Sequence, residues 1–241
     1  MKSFKVLFAT LIVAVMFMVG AGVASAQSPT NPGFPERINP SSEFCGQQGP
    51  RNLGACAAGL SQQYRSAAGL NTTPKYLYVR YAGVSQVGWG VNGPVACAFH
   101  ESVTLYCNGS VHLGENTLKD IASKLPVNPE AYATFLAAHE ATHHTQTTTG
   151  GTNLFPIFTS SKVQPFEQQA DCVGGAAIGY WVMQGRFSET DALALQAQLR
   201  MSPTTTTHAS GDKRAAAFET GYRSSSLNDC IGGAFAPTPL V

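Results

Sequence analysis

Apolar positions change their spacing along this chain, and the changes mark out its elements. Lys2 and Lys5 precede an uncharged run from Val6 to Ala26 that closes on Ala24-Ser25-Ala26, which predicts a signal peptide over 1–26, removed before Gln27. A retained membrane anchor has the required length, but it fits poorly with the Gly- and Ala-rich end of the run and the cleavage pattern after it. Residues 27 to 60 show no apolar period and are punctuated by Pro29, Pro32, Pro35, Pro40 and Pro50, so an extended arm is expected there. Lys75 to Tyr81 then alternates aromatic and β-branched residues as a strand does. Val95 to Phe99 and Val103 to Cys107 read as a hairpin turning at His100-Glu101-Ser102, which makes a small antiparallel sheet.

From Glu115 the period lengthens to that of a helix, with Leu118, Ile121, Ala122 and Leu125 on one face before Pro126 interrupts. Asn128 then caps a second helix with Pro129 in its first position, running through Phe135 and His139 towards Gly150. Residues 147 to 164 carry few helical signals beyond an apolar turn at Leu154 to Phe158. The next helix should start near Pro165 and reach about Gln184. Ser188 with Asp191 resembles a capping box for a helix through Met201, and Ser210 opens another through Arg223. The expected fold class is α+β, a mostly helical body with a small antiparallel sheet, occupying 75–241 behind an N-terminal extension over 27–74.

Composition narrows the function. With 12% charged residues, a net charge of +1 and no basic run, the chain has no electrostatic footprint for nucleic acid. After the leader no segment is apolar enough to span a bilayer, so a secreted or extracytoplasmic protein without stable membrane insertion is expected. Six cysteines in the exported part suit three disulfides. Closeness in sequence favours Cys45 with Cys56 and Cys97 with Cys107, leaving Cys172 for Cys230. Cys-x-x-Cys metal spacing is absent.

The chemistry centres on Ala138-His139-Glu140-Ala141-Thr142-His143. Four residues turn a helix about once, so both imidazoles share a face as metal ligands, while Glu140 is offset and placed to act as a general base towards water at the metal. With six His and nine Glu in 241 residues, this pattern arises by chance in roughly one such chain in two hundred. The bland alternative is an amphipathic helix with packed or solvated histidines. Against it stands a second pair, Glu167 and Asp171, four apart at the start of the next helix and 24 residues beyond His143. A catalytic zinc takes three protein ligands and keeps a fourth position open, so His139, His143 and Glu167 complete a set. Asp171 is placed to accept the ring N–H of a ligating histidine. His208, on the Thr204–Thr207 loop, is a candidate oxyanion donor, or else a surface or loop-folding residue; Tyr222 is a weaker candidate. His144 is rotated about 100° from His143 and cannot share the metal. His100 and His112 have no spaced partners and read as structural or exposed.

The run HEATHHTQ at 139–146, FEQQADC at 166–172 and HASGDKR at 208–214, followed by Phe218 and Gly221-Tyr222, resembles a bacterial family of neutral zinc metallopeptidases in order and spacing. The resemblance covers about residues 95 to 223. It implies a zincin-like fold of the kind that adds a glutamate from a second helix, with Zn2+ held by His139, His143 and Glu167, the base at Glu140, and supporting residues at His144, Gln146, Asp171 and His208. Thr142 stands where the family pattern has Gly, and the segment Cys97 to Cys107 keeps only its Cys and apolar spacing. The expected function is hydrolysis of peptide bonds in a peptide or protein substrate by water activated at zinc. Three rivals use the same residues: an exported zinc-binding protein without catalysis, an amidase acting on cell-wall peptides, and a disulfide-stapled structural protein with incidental histidines.

Overall fold

A computed structural model describes residues 35–85, 89–90, 93–94, 96–150, 154 and 160–231. The expected signal peptide, the start of the extension and most of the 151–159 loop lie outside the described residues. Strand β1 (Glu36–Arg37) leads into helix α1 (Pro50–Ala67), followed by β2 (Lys75–Val79), β3 (Gly83–Ser85), β4 (Trp89–Gly90), β5 (Gly93–Pro94), β6 (Cys97–Phe99), β7 (Leu105–Cys107) and β8 (Ser110–Gly114). The remainder is helical: α2 (Glu115–Lys124), α3 (Pro129–Thr148), α4 (Gln164–Met183), α5 (Glu189–Arg200), α6 (Gly211–Ser224) and α7 (Leu227–Ile231). This is a mostly helical α+β fold. Among the described residues no helix is long and apolar enough to cross a membrane.

Caps place the two site helices and their neighbour. The Asn128 side chain accepts from the backbone of Glu130 and Ala131 ahead of Pro129, which starts α3. Pro165 sits in the first turn of α4, and Ser188 with Asp191 forms a complete capping box on α5.

Three expectations are corrected. Pro50–Ala67 is a buried helix and not part of an extended arm: Leu53, Ala57, Leu60 and Tyr64 make a helical stripe. Its small residues allow close approach, and a Cβ on Gly59 would lie 2.5 Å from the Ser41 carbonyl carbon. Nor do Val95–Phe99 and Val103–Cys107 form a hairpin. β6 pairs antiparallel with β3, and β7 pairs antiparallel with β8. The intervening turn is used elsewhere, because the Glu101 carbonyl accepts from Asn116 and Thr117 at the start of α2 (2.7 and 3.3 Å). The main sheet, ordered β1-β2-β8-β7, is mixed and not purely antiparallel, since β2 and β8 run parallel.

Helix α3 is buried on two sides. Ala133, Ala137 and Ala141 join a core with Ile38, Tyr76, Tyr78, Val111, Leu113 and Leu118 under the sheet. Phe135 belongs to a second core with Leu60, Ile178, Leu195, Leu199 and Phe218 among the helices. α4 and α6 pack backbone to backbone: a Cβ on Gly221 would lie 1.8 Å from the Cys172 carbonyl oxygen, and one on Gly175 2.1 Å from that of Phe218. Disulfides join Cys45–Cys56, Cys97–Cys107 and Cys172–Cys230, a pattern that belongs to chains held in an oxidising environment.

Candidate metal centre

His139 and His143 lie one turn apart on α3, both buried, with ring centroids 5.1 Å apart and planes nearly perpendicular. Glu167, on the first turn of α4, meets both: His139 Nε2 is 3.1 Å from its Oε2 and His143 Nε2 3.4 Å from its Oε1. Donor atoms of the three residues all fall within 4.8 Å of one another. Ligands about 2.0–2.2 Å from a tetrahedral ion stand about 3.4 Å from each other, so the side chains are already spaced to hold one. Among the described residues the other cluster of this kind, Cys45, Cys56 and Glu130, has its two cysteines in a disulfide.

Hydrogen bonds settle which ring nitrogens face the centre. His139 Nδ1 is 3.0 Å from Asp171 Oδ1, and Arg214 grips the same carboxylate in two places, Nε to Oδ2 and Nη2 to Oδ1, both at 2.8 Å. Burial works to raise the Asp171 pKa, but the Arg214 charge and hydrogen bonds overcome it and hold the group down at about 2. An ionised carboxylate only accepts, so His139 Nδ1 carries a hydrogen towards Asp171, and Nε2, 3.1 Å from Glu167 Oε2, is the nitrogen that faces the centre. His143 Nδ1 lies 2.8 Å from Gln146 Oε1, and the Gln146 amide nitrogen donates to the Phe166 carbonyl at 3.0 Å. That carbonyl also only accepts, which orients the amide and makes His143 Nδ1 the donor. Both Nε2 atoms therefore face the Glu167 carboxylate while each Nδ1 is held by an acceptor, which leaves Nε2 as the nitrogen that could bind a metal in place of its proton.

Three carboxylates, Glu140, Glu167 and Asp171, are buried beside these imidazoles, and Asp171 is paired with Arg214. Burial opposes a charge on His139, yet Asp171 and Glu167 outweigh it and raise that ring to about 10. A cation at Nε2 would compete for the same lone pair as that proton. Burial also pushes Glu167 up, but the His143, His139 and His208 rings hold it well below the usual carboxylate range. Glu140 goes the other way, raised by burial, with Glu167 adding and the histidines opposing. One carboxylate is thus held charged by the imidazoles around it, and its neighbour is drawn towards its protonated form.

The loop between α5 and α6 brings His208 into this group. Its Nε2 is 3.0 Å from Glu167 Oε2, and its ring stacks on His139 at 6.4 Å. Thr205 holds the His208 backbone N–H at 2.9 Å, and Gln164 on α4 donates to the Thr205 and Thr206 carbonyls, which gives the Thr-rich run a positioning task. Other candidates lie apart. His144 meets the Tyr106 hydroxyl at 3.3 Å and is driven down to about 4 by burial. Tyr222 stacks on Phe218. His112 is buried in the sheet beside Phe99, and His100 lies on a turn near Glu101. The Thr142 hydroxyl donates back to the Ala138 carbonyl within its own helix. Arg214 carries no role in the sequence reading, because nothing local indicates that α6 lies against α4. No family model matches the chain, and neither the curated proteins nor the solved structures yield a match.

Proposed function

We propose that the protein is a secreted zinc-dependent metallopeptidase. The reading rests above all on one observation: Nε2 of His139 and His143 from α3 and the Glu167 carboxylate from α4 converge with metal-ligand spacing, with Glu140 beside them on the same helix as the two histidines. Two imidazoles and one carboxylate form a ligand set that zinc takes in hydrolytic sites. Its likeness in sequence runs to bacterial neutral zinc metallopeptidases supports the same class.

Zinc held by His139, His143 and Glu167 would supply Lewis acidity to a carbonyl and lower the pKa of water towards neutrality. Glu140, its proton affinity raised by burial, takes the proton from the attacking water and returns it to the leaving amine. His208, whose Nε2 lies 3.0 Å from Glu167 Oε2, is the imidazole at hand to donate to negative charge developing on the substrate oxygen. Asp171, locked by Arg214, keeps His139 turned towards the centre. Glu140→Gln should retain stoichiometric zinc and lose about 10²- to 10⁴-fold in turnover of a mixed peptide library. Unchanged cleavage by that variant removes Glu140 from the role of base.

A second reading draws on His208 itself. A third imidazole 3.0 Å from Glu167 Oε2 favours a closed, non-catalytic metal site if it moves in as a fourth ligand. Peptide cleavage that is lost on chelation and restored by zinc supports the peptidase; full zinc occupancy without cleavage supports the closed site.

A further inference from the structure

The two imidazoles are held by different kinds of partner. His139 ends on a charged pair, Asp171 with Arg214, whereas His143 ends on a row of neutral amides that can be followed further. Gln146 Nε2, besides meeting the Phe166 carbonyl, donates to Gln169 Oε1 at 2.8 Å. Gln169 Nε2 in turn donates to the backbone carbonyl of Cys230 at 3.3 Å. Gln146, Gln169, Cys172 and Cys230 are all buried.

We propose that Gln169 is a positioning residue for His143, and that it transmits to this ring the anchorage of the Cys172–Cys230 disulfide. The inference rests on the metal-centre reading only in taking His143 as a ligand. Its logic lies in donors and acceptors. The Cys230 carbonyl can only accept, so the Gln169 amide must turn its nitrogen there and its oxygen towards Gln146. Gln146 then faces two acceptors, the Phe166 carbonyl and Gln169 Oε1, and can satisfy both only with its own nitrogen. Its oxygen is left for His143, which must carry its hydrogen on Nδ1. Reversing the Gln146 amide would set oxygen against two oxygens at once; without Gln169 it would oppose only one. Gln169 thereby closes the alternative in which His143 holds its hydrogen on Nε2, the nitrogen a metal needs.

The far end of the row needs support of its own. α7 has five residues, too few to stand as a helix in isolation. It is tied to α4 by the bond between Cys230 and Cys172, three residues beyond Gln169, and Leu227 packs against the core beside that bond. The half-cystine that fixes α7 thus supplies the carbonyl that orients Gln169. In sequence nothing connects residue 230 with residue 143.

The test compares the full-length secreted chain with Gln169→Leu and Gln169→Glu. Zinc affinity is measured by competition with a chelator. The His143 ring is observed by long-range 1H–15N NMR, at a pH high enough to leave it neutral. Wild type should show the hydrogen on Nδ1. Gln169→Leu should lose about tenfold in zinc affinity, the scale of outer partners of a metal ligand, and show a mixture of ring forms. Gln169→Glu, isosteric and able in either protonation state to turn an acceptor oxygen to Gln146 Nε2, should restore the single ring form and most of the affinity. The proposal fails if wild type carries the hydrogen on Nε2, if Gln169→Leu matches wild type in both measurements, or if Gln169→Glu is no better than Gln169→Leu. Absence of zinc binding in wild type overturns the metal-centre reading instead, and the ring signals still decide the role of Gln169. Should Gln169→Leu not fold, the comparison of wild type with Gln169→Glu decides it: one shared ring form with the hydrogen on Nδ1 supports the proposal, and any other form overturns it.

Discussion

Asp171 illustrates how much rests on a side chain that touches no ion. Its two oxygens accept two hydrogen bonds from Arg214 and one from His139. Asp171→Asn replaces one acceptor by a donor, so either Arg214 or His139 meets an N–H where it needs an oxygen. The expected result is a 10- to 100-fold loss of zinc affinity together with about 3–5 kcal/mol of stability, because the Arg214 charge remains buried without its counter-ion. Chelator competition and urea unfolding measure the two, and a variant unchanged in both would show that the pair is ornamental. His112 offers a test away from the site. It lies in β8 between register partners Leu77 and Leu105, edge-on to Phe99, and burial lowers its pKa to about 4. Its Nδ1 has no hydrogen-bond partner among the described residues. The unfolded chain takes up the His112 proton below about pH 6.5 while the folded chain resists until about pH 4. Stability is therefore highest above pH 6.5 and falls as the pH drops through this window, by roughly 2–3 kcal/mol at pH 4.5 from this ring. In His112→Leu the difference in urea-unfolding free energy between pH 7 and pH 4.5 should shrink by that amount. An equal acid sensitivity in both proteins would exonerate His112.

Among elements, the approach of α4 to α6 is what carries Arg214 to Asp171. Gly221→Ala sets a methyl against the Cys172 carbonyl, an obstacle of backbone that cannot turn aside. The helices must separate, at a cost of about 3 kcal/mol, and the Arg214 grip should loosen with them; a melting temperature equal to wild type would mean that α6 yields freely. The same crossings explain what sequence reveals. α3 and α5 are legible because their signals are local: Asn128 before Pro129, and Ser188 three residues before Asp191. His139, Glu140 and His143 are legible too, since helix geometry alone puts the two imidazoles on one face. α1 escapes notice because Ala, Gly, Cys and Ser fill most of its buried face, and small residues leave a faint apolar stripe. β6 and β7 find distant partners instead of each other, and no local pattern encodes that choice. Arg214 and Gln169 belong to the same class: each acts on α3 from another helix, and their meaning exists only once the helices are packed.

At the scale of the whole molecule, the C-terminal third tends both rings of the candidate metal centre, through Arg214 on α6 for His139 and the Cys230 carbonyl on α7 for His143. The Cys172–Cys230 bond closes a 58-residue loop containing α5 and α6, which by loop-closure entropy contributes about 4 kcal/mol. Cys45–Cys56 closes only 11 residues, for about 3 kcal/mol, and ties the start of α1 far along the chain from either ligand helix. Replacing each pair by alanine separates stability from site-building. Both variants should unfold at lower urea, by amounts that differ little. Only Cys172→Ala with Cys230→Ala should also weaken zinc in the folded protein, because α7 is released and with it the acceptor that orients Gln169, Gln146 and His143 in turn. Zinc affinity measured in the absence of denaturant, where both variants remain folded, is the deciding quantity. Equal affinities in the two variants would mean that the long-range staple holds the fold together without shaping the metal centre.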